Sequence, residues 1–156
     1  MINNMKQTLQ QTPMDIAFEE AEAAALRGEV PVGAVITDKA GTIIARNGNR
    51  TRQLNDPSAH AEVLVIRAAC AEMASERLPD CNLYVTLEPC AMCAATISFA
   101  RIKRLYYGAG DEKMGAVENG GRFFSQSSCH HRPEIYDGIG EARAAELLTR
   151  FFKDRR

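Results

Sequence analysis

The chain reads as an α/β protein, a three-layer α/β/α sandwich around a central mixed five-stranded sheet, and three observations predict it. Five short β-leaning runs are interleaved with four segments of helical periodicity. The first two strands are joined by a tight turn, whereas the third and fourth each follow a helix, which implies a mixed sheet covered on its faces. At 156 residues the chain matches one domain of about 150 residues, and it shows no internal repeat or low-complexity tract, so residues 1–156 read as a single domain.

Each element has a local reason. Thr12 caps a first helix with Pro13 at its first position and Asp15 in its first turn; Met14, Ala17, Phe18, Ala21, Ala24 and Ala25 recur at helical spacing up to Gly28. Val32 to Thr37 and Thr42 to Arg46 form a hairpin over Asp38-Lys39-Ala40-Gly41. Asp56-Pro57 repeats the cap-then-proline signal and predicts a second helix to about Ser75. Asn82 to Thr86 is a buried strand, Glu88-Pro89 opens a third helix that Arg101 closes, and Arg104 to Gly108 is the fourth strand. Ala109 to Arg132 is rich in Gly and Ser without periodicity, a length of irregular chain that is usually functional or mobile, or else a tolerated surface insertion. Glu134 to Tyr136 is a last strand, followed by a helix from about Glu141.

Composition excludes several classes. With 46% hydrophobic and 25% charged residues the chain is neither disordered nor fibrous, and 19 Lys+Arg against 20 Asp+Glu removes a whole-domain basic field. The longest nearly apolar run, Cys90 to Ala100, is 11 residues, far short of the roughly 20 a membrane span needs. The polar start from Met1 to Gln7 lacks a secretory stretch, and five cysteines is an odd count, so the expectation is a cytoplasmic protein with free thiols.

The chemistry sits in His60-Ala61-Glu62 and, after 26 intervening residues, Pro89-Cys90-Ala91-Met92-Cys93. Cys90 and Cys93 are three apart in a helix's opening turn, so both sulfurs can reach one metal, and His60 supplies a third ligand. His60 and Glu62, two apart, can serve the same site only if their helix points at it end-on. Three Cys/His ligands are the pattern of a catalytic zinc, which keeps its fourth position for water or substrate. Glu62 is then better used as a proton carrier than as a ligand, and the constellation predicts hydrolysis.

The pattern H-x-E…P-C-x-x-C is the zinc nucleobase deaminase signature. The chain further resembles the bacterial tRNA-specific adenosine deaminases, which convert the wobble adenosine of an anticodon to inosine. That resemblance rests on Val30-Pro31-Val32-Gly33-Ala34-Val35, Asn49-Arg50, Asp56 to Glu62 and Leu83 to Cys93. It also draws on Gly108-Ala109 with Asp111 and Lys113, on His131-Arg132, and on the terminal Phe151-Phe152 among basic residues. It implies a cytidine-deaminase-like fold, one Zn²⁺ per subunit on His60, Cys90 and Cys93, and Glu62 as general acid/base. Glu62 would carry a proton from water to ring nitrogen N1 as C6 is attacked, and then protonate the departing amine. The resemblance also implies that Asn49 contacts the base, that Asp111 and Lys113 lie near the RNA, and that Phe152 stacks on an unpaired base with Arg155 and Arg156 near phosphates. The partners it implies are a tRNA anticodon stem-loop and a second copy of the chain, as a homodimer. Gly110 and Met114 depart from the Arg or Lys and the small hydroxyl residue expected there.

The residues leave alternatives open. Asn49 can serve the turn after a strand, Asp111 and Lys113 can be a surface ion pair, and most of the last helix packs on the sheet through Ala144, Leu147, Leu148 and Phe151. The same centre suits a deaminase of a free base or nucleotide, such as guanine, cytosine or deoxycytidylate. Cys70 and Cys81 read as core thiols, while Cys129-His130-His131 could complete a four-ligand structural zinc site and make the protein a binding module.

Overall fold

A computed structural model describes residues 10–155. Helix α1 spans Pro13–Leu26, and Thr12 and Asp15 form a reciprocal capping box at its start. Strands β1 (Gly33–Thr37) and β2 (Ile43–Gly48) are the antiparallel hairpin, α2 is Ala61–Met73, β3 is Asn82–Leu87 and α3 is Ala91–Phe99. Strand β4 (Arg104–Ala109), a short 3-10 turn at Phe123–Ser125, β5 (Glu134–Tyr136) and α4 (Glu141–Lys153) complete the chain. The sheet order is β2-β1-β3-β4-β5, with β1 antiparallel to both β2 and β3, and the pairs β3-β4 and β4-β5 parallel. The sheet is therefore mixed and five-stranded, as expected.

Alternation along the strands separates the two faces. Ala34, Ile36, Leu83, Val85, Leu105 and Tyr107 point into a core shared with α2 and α3, while Val35, Tyr84 and Tyr106 meet α1 and α4. On that second face Tyr84, Tyr106 and Tyr136 stand in register across β3, β4 and β5 and stack, with ring centroids 4.6 and 4.9 Å apart. Gly33 is required where α1 crosses β1: a Cβ there would lie 1.9 Å from the Ala17 carbonyl oxygen.

Two helix starts differ from the sequence expectation, both for the same reason: the side chain expected to cap is used elsewhere. Asp56 accepts from the Ser58 N–H at 2.8 Å and the Ser58 hydroxyl at 2.7 Å, closing an Asx turn, so α2 begins only at Ala61 with His60 as its cap residue. Glu88 likewise does not open α3, which starts after Cys90. The 109–132 segment is neither a loose insertion nor without structure. It is tied down by Glu88, and Phe124 is buried in the core. Cys81 is buried and Cys70 only half-buried, both against the core. The readings of Met1 to Gln7 and of Arg156 lie outside the described residues.

Candidate metal centre

His60 and Cys90 occupy equivalent places, each the extended cap residue immediately before a helix, with φ −73° in both. Neither side chain caps its own helix, so the imidazole and the thiol are free to converge, and Cys93 joins them from the first turn of α3. The two helices thus present their N-termini to one point, the end-on arrangement that the His60–Glu62 spacing demands. Nδ1 of His60 lies 3.7 Å from Cys90 Sγ and 3.5 Å from Cys93 Sγ. A tetrahedral zinc with Zn–N and Zn–S bonds of ordinary length would hold N and S about 3.6 Å apart, so the donor set fits that ion without rearrangement. All three donor atoms lie within 4.8 Å of one another, and among the described residues no fourth His, Cys, Asp or Glu joins them.

The charges agree with this. A hydrogen bond from Cys93, then one from His60, brings the Cys90 thiol down to about 4 against its burial, while the hydrogen bond to Cys90 and burial push Cys93 up. The hydrogen bond to Cys90 also raises His60. Glu62, in the first turn of α2, is 3% exposed, and burial pushes its carboxyl up although a backbone hydrogen bond and Cys93 oppose this. Its Oε1 is buried without a partner, an uncommon state for a native carboxylate and one that marks a group placed for a ligand.

The other expected site residues divide. Asn49, buried at the end of β2, accepts through Oδ1 from the Ala61 N–H at 2.8 Å, so it caps α2 from another element directly beside His60; Arg27 in turn donates to the Asn49 carbonyl at 3.1 Å. Asp111 is half-buried and accepts from the Lys113 and Met114 amides at 3.1 and 3.0 Å; this is a turn bond to backbone, not an ion pair with the exposed Lys113. Phe152 is 51% exposed on α4, edge-on to Phe151, over whose ring Arg155 lies at 4.1 Å. Helix α4 packs on β4, β3 and α1, away from the metal helices. The Cys129-His130-His131 site is not formed: Cys129 donates to the His131 carbonyl at 3.1 Å and His131 Nε2 pairs with the Ile102 carbonyl at 2.8 Å.

Sequence reasoning missed Glu88. Its carboxylate, 3% exposed, accepts from the backbone amides of Asp111 (3.1 Å), Val117 (3.0 Å), Glu118 (3.2 Å) and Asn119 (3.1 Å), and from Asn119 Nδ2 at 2.7 Å. Burial alone would raise this carboxyl, but those hydrogen bonds together hold it below its usual range. The one available signal was an acid ending an apolar strand directly before Pro89 and Cys90.

The profile of the cytidine and deoxycytidylate deaminase zinc-binding region matches residues 7–109. The chain is 60% identical over 143 residues to the tRNA-specific adenosine deaminase of Agrobacterium fabrum, covering 92% of this chain and 93% of that protein. A solved structure from work on A-to-I editing by tRNA:A34 deaminases at the wobble position superposes with a TM-score of 0.86 at 61% identity, covering 87% of this chain and 98% of that one. The guanine deaminase of Nitrosomonas europaea matches at a TM-score of 0.77 and 20% identity over 89% of this chain and 82% of that one, which is likeness of fold alone.

Proposed function

Because the chain belongs to the cytidine and deoxycytidylate deaminase zinc-binding family, and within it to the tRNA-specific adenosine deaminases, we propose that it hydrolyses the wobble adenosine of a tRNA anticodon loop to inosine and ammonia. The observation that carries the chemistry is the buried Glu62 carboxylate, its Oε1 without a partner, beside a three-donor set of His60, Cys90 and Cys93. Zinc held by those three supplies the Lewis acidity that brings a water's pKa near 7. Glu62 accepts a proton of the attacking water and delivers it to N1 of the purine as C6 is attacked; it then takes the proton of the new C6 hydroxyl and passes it to the amine, which leaves as ammonia as the C6 carbonyl forms. Its raised carboxyl suits this work, since it must both take and release a proton.

On this reading the given chain, 1–156, works as one zinc-dependent deaminase domain. Asn49 holds the His60 end of α2 and offers its amide to the base; Asp111 and Lys113 flank the RNA. The exposed Phe152 supplies a stacking surface, with Arg155 near phosphate. The enzyme acts as a homodimer in the cytoplasm; among the described residues no helix is long and apolar enough to cross a membrane. The test is to incubate zinc-loaded protein with an anticodon stem-loop carrying wobble adenosine, and in parallel with free adenosine and guanine, scoring inosine and ammonia. Turnover of the stem-loop alone is expected; turnover of a free base at equal or greater kcat/KM overturns the RNA assignment in favour of a base deaminase.

A further inference from the structure

The segment following β4 lies directly against the ligand turn. Cys90 and Gly115 form an isolated antiparallel bridge, and the Ala116 N–H donates to the Pro89 carbonyl at 2.9 Å. What fixes this segment is a buried charge. Oε2 of Glu88 collects three successive amides, those of Val117, Glu118 and Asn119, the concave arrangement of N–H groups that ordinarily receives a bound anion. Here the chain fills it with its own carboxylate. Oε1 holds the other end of the loop through the Asp111 N–H and also accepts from Asn119 Nδ2. Residue 115 must be glycine for this to close, because a Cβ there would lie 2.4 Å from Glu88 Oε2. Among the described residues, Glu88 has no basic partner within ion-pair distance and no place in the donor set. Its whole bonding capacity goes to the loop.

We propose that Glu88 is a positioning residue for the deamination: it locks the 111–119 loop, with the exposed Lys113 and Met114, against the Cys90 turn, and so builds the substrate-facing wall beside the metal centre. This rests on the function proposed above. The chemistry is carried by α2 and α3, which Glu88 does not hold, so loosening the loop weakens substrate binding and leaves the reacting groups in place.

Glu88→Gln keeps the shape but turns an NH₂ group toward either the three amides or the two donors on Oε1. In zinc-loaded protein the expected result is amide hydrogen exchange at 111 and 117–119 faster by about tenfold or more, as loss of charged hydrogen bonds requires. KM for the stem-loop rises about tenfold, kcat stays within about twofold and zinc stays at one per chain. The double variant Glu88→Gln/Asn119→Asp, in which the new amide donates to the new carboxylate, recovers exchange protection at 117–119 and most of the KM, while the Asp111 N–H, facing the new NH₂ group, stays fast. If Glu88→Gln does not fold, Asn119→Ala makes the same test from the loop side. Unchanged exchange overturns the proposal, as does loss of zinc and kcat with KM unmoved, which would make Glu88 a support of the metal turn. Wild-type protein inactive on the stem-loop would sink the assigned substrate, while exchange at the four amides still decides whether Glu88 clamps the loop.

Discussion

A group that ferries protons has to be comfortable in both of its forms, and Glu62 is placed for that: burial favours the neutral acid, while Cys93 and His60 favour the carboxylate. Glu62→Gln preserves volume and removes the titration. Inosine formation is expected to fall by about 10²–10⁴-fold, the usual worth of general acid/base catalysis, with zinc retained at one per chain by atomic absorption. Zinc loss in this variant would instead make the carboxylate part of the metal's support. The donor set of His60, Cys90 and Cys93 was legible in the sequence because metal ligands are of a few distinctive residue types and two of these three stand at a ligand spacing. The work of Asn49 and Glu88 was not legible, because their partners lie 12 and 23 to 31 positions away and are mostly backbone amides, which every residue possesses.

Among the elements, α2 matters most, and its beginning is where sequence periodicity reached least far. Asp56-Pro57 has the composition of a helix start, yet Ser58 donates to the Asp56 carboxylate, and the four residues this releases carry the chain through a turn to His60, which is extended. The remaining elements fall within a few residues of expectation, since each shows its own periodicity; the sheet order does not, being set by contacts between distant strands. Because Asn49 rather than His60 caps α2, Asn49→Ala is expected to cost about 0.5–2 kcal/mol, read as a lower midpoint in thermal unfolding. Asn49→Asp keeps the accepting oxygen and so should restore most of that stability. A deaminase rate that stays low in Asn49→Asp, on a protein that melts normally, would assign the amide nitrogen to the base; normal rates would leave Asn49 as a cap alone.

For the molecule as a whole, a net charge of −1 limits how RNA is held. With few cations to spare, binding must depend on a pocket and stacking more than on phosphate neutralisation. The dependence of log K on log salt for a stem-loop is expected to be no steeper than about −2 to −3, the value for three or four phosphates on single-stranded RNA. A slope near −7 or steeper would demand a basic surface formed some other way, such as between two copies of the chain. The sheet at the centre of all this has a further property. The chain contains no tryptophan and four tyrosines, and three of them are the near-parallel rings spanning β3, β4 and β5. Their coupled transitions should dominate near-ultraviolet circular dichroism, so the protein is born with an optical gauge of its outermost strand, one that would go dark when β5 peels away while the helical bands stay bright.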